Sequence, residues 1–577
     1  MSKRLAEFPL EGVLSPKKAR LKYVDNNSND QQMIEASEED VLQDAVAAQD
    51  NSDLSDTDKE TAVYSYRQNK PLEGFDDLYL DTVNRAILDF DFEKLCSVSL
   101  VNYNVYACLV CSKYFQGRGP KSYAYHHAVD TDHHVFINLS DQKVWILPEG
   151  YEVKSSGLDD IKFVLEPHYT KRDLMKLDSN THGVYDFSNN LYRPGFVGMN
   201  NIKANDYFNV VIQILSHVTP LRNFFLCHEF PTTGTPELAL RFSTLVRKLW
   251  NPKAFRSHVS PQELLQYIGL VTSRRFTSTK QADPVEFLSW LLNNLHQSLG
   301  GSKKLSTKRT TAVQFAFQGQ MRVESQAITA QADDRNERLT FIDSDVIESK
   351  VVPFFMLTLD LPPTPLFQSA VKDDIVPQVS LSSLLRKYSG RTATERASNR
   401  VRHRLIHPLP PYLIFHVKRF TSNIWLSERN PTIVTHASPD GLNMAPYVEP
   451  NPDVWPPSEP IFYDLVSSIT LDTSLVTKGN VDDAVKTVVN PTTGAKSTTV
   501  DHKVAWVAQI RDKAVDRENA RQDNDEDRPN WYEIQDLSIR KDESEIIQTL
   551  FTKETYLMVW ERRKVPGKGK GPASEAN

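Results

Sequence analysis

Two cysteines two residues apart, in Cys108-Leu109-Val110-Cys111, are followed at short intervals by His127 and His133. The pattern Cys-x2-Cys-x15-His-x5-His supplies the four ligands that zinc binds tetrahedrally, with both thiolates offered by one tight turn. The histidine spacing draws the second pair from a helix and from the turn after it. Four protein ligands leave no open coordination position. The spacing therefore predicts one structural zinc, Zn2+, that folds its domain and performs no catalysis. The alternative is a pair of buried cysteines with incidental histidines. His126 and His134, adjacent to the chosen pair, are the competing ligands.

The chain has only four cysteines, and half of them form this pair; Cys96 and Cys227 read as small core residues. So few thiols exclude a disulfide scaffold and favour a reducing compartment. At 577 residues the chain exceeds one ordinary core, so two folded domains with tails are expected. A hydrophobic share of 40% and a charged share of 24% suit a soluble globular protein. The formal net charge of -7 excludes a protein that coats nucleic acid through its whole surface. No stretch approaches the roughly 18 consecutive apolar residues of a membrane span, and the N-terminus has no apolar signal region.

Residues 24 to 60 hold twelve Asp or Glu, one Lys and no aromatic residue. Such a segment buries too little apolar surface to offset its ordering entropy, which predicts a disordered acidic tail over 1–63. Ser15-Pro16-Lys17-Lys18-Ala19-Arg20-Leu21-Lys22, within that tail, is a basic cluster of the nuclear-localisation type. Its plain alternative is a solvated charge cluster. Residues 564–577 read as a flexible basic tail.

Between the tails, a first compact unit is expected over 64–169, with strand-like Val135–Leu139 and Lys143–Leu147. A polar linker over 170–190 leads into a second unit over 191–563. That unit opens with helical periodicity at Tyr207–His217 and Gln281–Leu299. It then turns to strand-like runs at Phe354–Leu361, Tyr412–Val417, Val504–Ile510 and Tyr556–Trp560. Helices first and strands afterwards predict an α+β fold. Residues 301–312 and 511–530 read as solvated insertions. The arginines of 396–404 read either as an electrostatic contact site or as a solvated helix face.

Gly198-Met199-Asn200-Asn201-Ile202-Lys203-Ala204-Asn205-Asp206-Tyr207 resembles the cysteine box of ubiquitin-specific proteases, with Asp206 at the nucleophile position. Gln281-Ala282-Asp283-Pro284-Val285-Glu286-Phe287-Leu288 and Leu413-Ile414-Phe415-His416-Val417-Lys418-Arg419-Phe420 are similar to later motifs of that family. The histidine box reads Asp501-His502-Lys503-Val504-Ala505-Trp506, and the last motif reads Trp531-Tyr532-Glu533-Ile534-Gln535-Asp536. The resemblance implies a papain-like fold whose degenerate triad is Asp206, His502 and Gln535. Asn201 stands where an active member lines its oxyanion hole. The Cys/His unit resembles the zinc finger of the same enzymes. Gln116 and Tyr123 stand where richer members place further ligands, and Tyr106 and Arg118 where some capture a free ubiquitin tail.

A thiolate is a strong nucleophile, whereas a carboxylate is a poor one and would give a labile anhydride. The resemblance therefore implies a pseudo-protease without catalytic residues. Asp206 at a helix start would cap free amides and sit well in the helix dipole, or pair with His502. Together with Asp89-Phe90-Asp91-Phe92-Glu93-Lys94-Leu95-Cys96, Tyr114-Phe115-Gln116-Gly117-Arg118-Gly119 and Asn430-Pro431-Thr432-Ile433-Val434, the variant boxes resemble the Sad1-type splicing factors. That resemblance implies a nuclear, noncatalytic scaffold of the U4/U6.U5 tri-snRNP. Its partners would be snRNP proteins, with snRNA contacted indirectly and no membrane. The alternatives are a noncatalytic ubiquitin-binding protein and an unorthodox deubiquitinase.

Overall fold

The computed structural model describes residues 78–230, 236–302, 309–332, 339–363, 377–396, 399–422, 427–436, 441–456, 459–472, 485–489, 496–500, 505–519, 530–541, 546 and 554–563. The acidic segment, the basic cluster at 15–22 and the C-terminal basic tail lie outside these residues. His502 lies outside them too.

Two compact units emerge. The first includes Leu95–Cys108 and Lys113–Lys154, and the second includes Thr82–Lys94 and the chain from Ser155 onward. Segment 82–94 thus belongs with the second unit, which a linear division at residues 169 and 190 does not provide. The stretch expected as a linker is ordered. It holds a helix at Lys171–Ser179, opened by a capping box between Thr170 and Asp173. A short hairpin follows, in which Val184–Tyr185 pairs with Leu191–Tyr192.

The first unit is a five-stranded antiparallel sheet with one helix. Its elements are β1 (Val105–Cys108), β2 (Tyr114–Gln116), α1 (Tyr123–Thr131), β3 (Val135–Asn138), β4 (Val144–Ile146) and β5 (Tyr151–Val153), in the sheet order β2-β1-β3-β4-β5. All four residues of β1 and of β3 are buried. Strands this short gain little from sheet pairing alone, which leaves much of the stabilisation to other bonds.

The second unit places helices ahead of strands, as the periodicity predicts. Helix α2 (Asp206–Ser216) is buried at all eleven positions. Helices α3 (Thr219–Cys227), α4 (Glu237–Leu249) and α5 (Pro284–Ser298) pack around it in a single apolar cluster that includes Phe208, Phe242, Phe276 and Phe287. Asp283 caps α5 by accepting the Val285 amide, and Pro284 opens the helix where no amide partner is needed.

The long strands β6 (Gly319–Ala332) and β7 (Leu339–Phe354) form an antiparallel hairpin. After β8 (Leu357–Asp360) come β9 (Ser389–Arg396) and β10 (Asn399–Ile406), which complete a four-stranded sheet in the order β7-β6-β10-β9. The arginine-rich stretch is therefore strand and not helix. Alternation of Val401 and Leu405 with Arg400, Arg402 and Arg404 sets one apolar face against the core and one basic face away from it.

The main sheet runs β8-β11-β16-β12-β13-β14-β15, with β11 (Tyr412–Lys418), β12 (Phe462–Asp472), β13 (Ala505–Arg511), β14 (Trp531–Gln535), β15 (Ser538–Arg540) and β16 (Glu554–Arg562). The predicted insertion 511–530 contains a further helix at Lys513–Asn519. The expected run Phe354–Leu361 is split, because β7 ends at Phe354 and β8 starts at Leu357.

Candidate functional site

Cys108 ends β1, and Cys111 stands in the tight connection to β2, where the Cys108 amide donates to the Lys113 carbonyl. Ser112 takes the left-handed conformation that closes this turn, with φ of 62°. His127 sits on α1, whose last turn is ended by Asp132 in the same left-handed region, and the reversal brings His133 back toward the thiolates. The ligand atoms of Cys108, Cys111, His127 and His133 all lie within 4.8 Å of one another. His127 Nε2 is 3.2 Å from His133 Nδ1, and Cys108 Sγ is 3.7 Å from that same nitrogen. Donors around a tetrahedral zinc are separated by about 3.3–3.8 Å, so the residues fit the metal.

The competing histidines are engaged elsewhere. His134 faces the Leu147 carbonyl at 2.8 Å and the Asp132 carboxylate at 2.8 Å. His126 packs edge-on to Tyr125. Phe115 stacks on His127 at 4.2 Å and fixes the ring plane of that ligand. Gln116 accepts from the Ser99 hydroxyl. Tyr106 is buried, and Arg118 lies over the Trp145 ring at 3.8 Å.

In the second unit the box around Asp206 is a polar network. Asn205 occupies the N-cap position of α2, and Asp206 is the first helical residue. The Asp206 carboxylate does not cap the helix through its own side chain in the expected manner. Its Oδ2 accepts from the Gln281 side-chain amide at 2.8 Å and from the Trp506 backbone amide at 3.2 Å. Oδ1 is buried and has no hydrogen-bond partner among the described residues. Burial pushes the Asp206 carboxyl up to about 6, and Asp536 pushes in the same direction. The nearby amides of Trp506 and Tyr207, together with Gln281, oppose that rise.

Asn201 donates to Asp536 Oδ2 at 2.9 Å, so its amide serves a fixed carboxylate. Asn209 donates to Asp536 Oδ1 at 2.9 Å, and Asn205 donates to Asn209. Gln535 ends β14, half-buried, and makes no side-chain hydrogen bond among the described residues. The family position falls on Gln535, whereas the residue in this network is its neighbour. Asp536, held at φ of 51°, is the residue that turns into the box. The acidic end of the motif Trp531-Tyr532-Glu533-Ile534-Gln535-Asp536 was the signal for it. Gln281 opens the family motif that continues into α5, yet it precedes that helix and serves Asp206.

Asp206 makes stability depend on pH. The folded chain holds a proton on this carboxyl up to about pH 6, against 3.8 for the ordinary group. Its penalty is absent below the lower value, grows between the two, and is complete above the higher one. A gap of about two units is worth about 3 kcal/mol. The stability difference between Asp206→Asn and the parent should shift by roughly 2–3 kcal/mol in favour of Asn from about pH 4 to 7.5. Denaturant melts across that range measure it, and a pH-independent difference would remove the assignment.

The family model described as "Ubiquitin carboxyl-terminal hydrolase" matches residues 197–483. The model "Zn-finger in ubiquitin-hydrolases and other protein" matches residues 96–158. The "Probable mRNA-splicing protein ubp10" of Schizosaccharomyces pombe is 45% identical over 485 residues, covering 84% of this chain and 88% of that protein. The "Pre-mRNA-splicing factor SAD1" of Saccharomyces cerevisiae is 31% identical over 492 residues, covering 84% and 93%. A crystal structure described as that of an essential yeast splicing factor superposes with a TM-score of 0.59 at 29% identity, covering 84% of this chain and 100% of that one. The matches span both units and carry the α+β reading of the sequence through to a zinc finger followed by a ubiquitin-specific-protease fold. The chain belongs to the Sad1 family of ubiquitin-hydrolase-like proteins.

Proposed function

We propose that this chain is a noncatalytic pre-mRNA splicing factor of the nucleus. In this reading it assembles or stabilises the U4/U6.U5 tri-snRNP through protein contacts and reaches snRNA indirectly. The observation that carries the proposal is Asp206. A buried carboxylate held by Gln281 and Trp506 starts the helix on which a papain-like enzyme needs a thiolate. Gln535 stands at the position of the histidine-orienting residue. The names of the relatives supply the process. One structural zinc, on Cys108, Cys111, His127 and His133, belongs to the proposal.

Gentle purification of a tagged chain from cells, followed by RNA sequencing and protein identification, tests the process. U4, U5 and U6 RNAs with tri-snRNP proteins are the expected companions. Ubiquitin conjugates without snRNAs would overturn the scaffold reading in favour of the ubiquitin-binding alternative. In a ubiquitin–fluorophore assay the chain is expected to show no turnover. Hydrolysis abolished by His502→Ala would establish an unorthodox deubiquitinase instead.

A further inference from the structure

The outward face of the four-stranded sheet carries charge that the fold itself leaves unused. Strand alternation puts Arg400, Arg402 and Arg404 of β10 on one side. Across the register, Arg404 faces Arg322, Arg402 faces Glu324, and Arg400 faces Gln326 on β6. One strand further, Arg322 faces Val351 and Gln326 faces Ile347 on β7. Arg322 is paired with Glu449 at 2.8 Å, and Arg400 with Glu395 at 3.3 Å. Arg402 and Arg404 make neither an ion pair nor a hydrogen bond among the described residues, and the buried Nε of Arg404 has no partner there. The stem of Arg404 is nonetheless fixed. Gly390, at φ of +74°, lets it lie so close that a Cβ there would stand 3.0 Å from Cδ.

Two guanidinium groups without a partner among the described residues, about 7 Å apart along the strand, call for paired carboxylates or phosphates. The rest of the face decides between them. Ile347 and Val351 are 49% and 50% exposed on the same side, beside the arginines. None of these face residues is aromatic, so bases have nothing to stack on. The pattern fits an acidic protein segment with aliphatic side chains.

We propose that this face binds the acidic segment 24–60 of this chain's own sequence. That segment has a formal charge of -11 and no aromatic residue, and it interleaves Val24, Met33, Ile34, Val41, Leu42, Val46 and Leu54 among its acids. Glu38-Glu39-Asp40-Val41-Leu42 places three carboxylates directly ahead of two aliphatic groups. Covalent linkage raises the effective concentration of such a segment far above that of a free competitor. The segment then shields Arg402 and Arg404 until a stronger acidic partner displaces it.

The test uses full-length protein and a fluorescein-labelled peptide of residues 24–60. A full-length variant with the Asp and Glu of 24–60 changed to Asn and Gln is expected to bind the peptide at least about fivefold more tightly than the parent, whose own segment competes. In that background Arg402→Glu, alone or with Arg404→Glu, should weaken binding about tenfold or more, with steep salt dependence. Arg274→Glu, an equal change of charge at an exposed site, should leave binding unchanged. Equal binding by the Arg402 variants, or no difference between parent and neutralised chain, would overturn the proposal. Displacement of the peptide from the same arginines by an oligouridylate at lower concentration would assign the face to RNA and overturn it too.

Discussion

Removal of zinc is expected to unfold the Cys/His unit while the larger unit keeps its own cooperative transition. The first unit is held by strands of three or four residues and by a small set of buried side chains, among them Ala107, Phe136, Ile137, Val144 and Ile146. A core of that size yields only a few kcal/mol. Metal binding by four deprotonated ligands is worth about 10–16 kcal/mol in small zinc-folded units, so the metal term exceeds the rest of the unit's stability. Without it, Cys108 and two imidazoles crowd together, with His127 Nε2 3.2 Å from His133 Nδ1. Treatment with a strong chelator should therefore abolish the first transition in a thermal melt and release one equivalent of zinc by metal analysis. Cys111→Ser should reproduce the loss, whereas His126→Ala should not. A metal-free chain with an unchanged melt would refute the assignment.

The Cys/His cluster was legible in the sequence because its chemistry is local. Four candidate ligands at short spacing leave few arrangements, and the turn at Ser112 and the reversal at Asp132 both fall inside the spacer lengths. Helix α2 was legible for a similar reason, since only Asn209 and Gln213 interrupt the apolar residues from Tyr207 to Leu215. The arginine stretch was not. A period of two in 400, 402 and 404 is the strand signature, yet its charge alone suits an electrostatic contact site and a solvated helix face equally well. Pairing with β6, some eighty residues away in sequence, decided the matter. The Asp206 box was only half legible. A capping carboxylate is a local expectation, but the donors that hold it come from Gln281 and Trp506, 75 and 300 residues away. Burial by long-range strands turned a capping residue into a carboxyl whose ionisation is disfavoured. The stretch 170–190 failed for the opposite reason: its polarity is that of a short surface helix with a good capping box, not that of a linker.

Arg419 shows how far a motif's meaning can lie from its sequence, and its loss is expected to be the most damaging single change in the larger unit. In Lys418-Arg419-Phe420 the lysine is exposed at the end of β11, while the arginine is 0% exposed. Its Nε donates to the Thr555 carbonyl at 2.7 Å, and its Nη1 donates to the carbonyls of Asn430 and Thr432 at 3.0 and 2.6 Å. One guanidinium thus ties the start of β16 to the loop before Ile433. Burial pulls the group down to about 10, and neighbouring Glu554 resists that fall, so the charge persists at neutral pH. Arg419→Met keeps most of the volume but leaves three carbonyls without a donor, each costing about 1–3 kcal/mol when buried. Three such losses, partly offset by relaxation, set the expected loss at about 3–5 kcal/mol in denaturant melts. Arg419→Lys should recover little, because an ammonium cannot reach carbonyls on both sides at once. Lys418→Met, one residue away in water, should stay within about 0.5 kcal/mol of the parent. A parent-like melt for Arg419→Met would mean that water replaces the guanidinium at those carbonyls without cost, and the clamp would have to be sought in the packing of Trp560 and Phe415 instead.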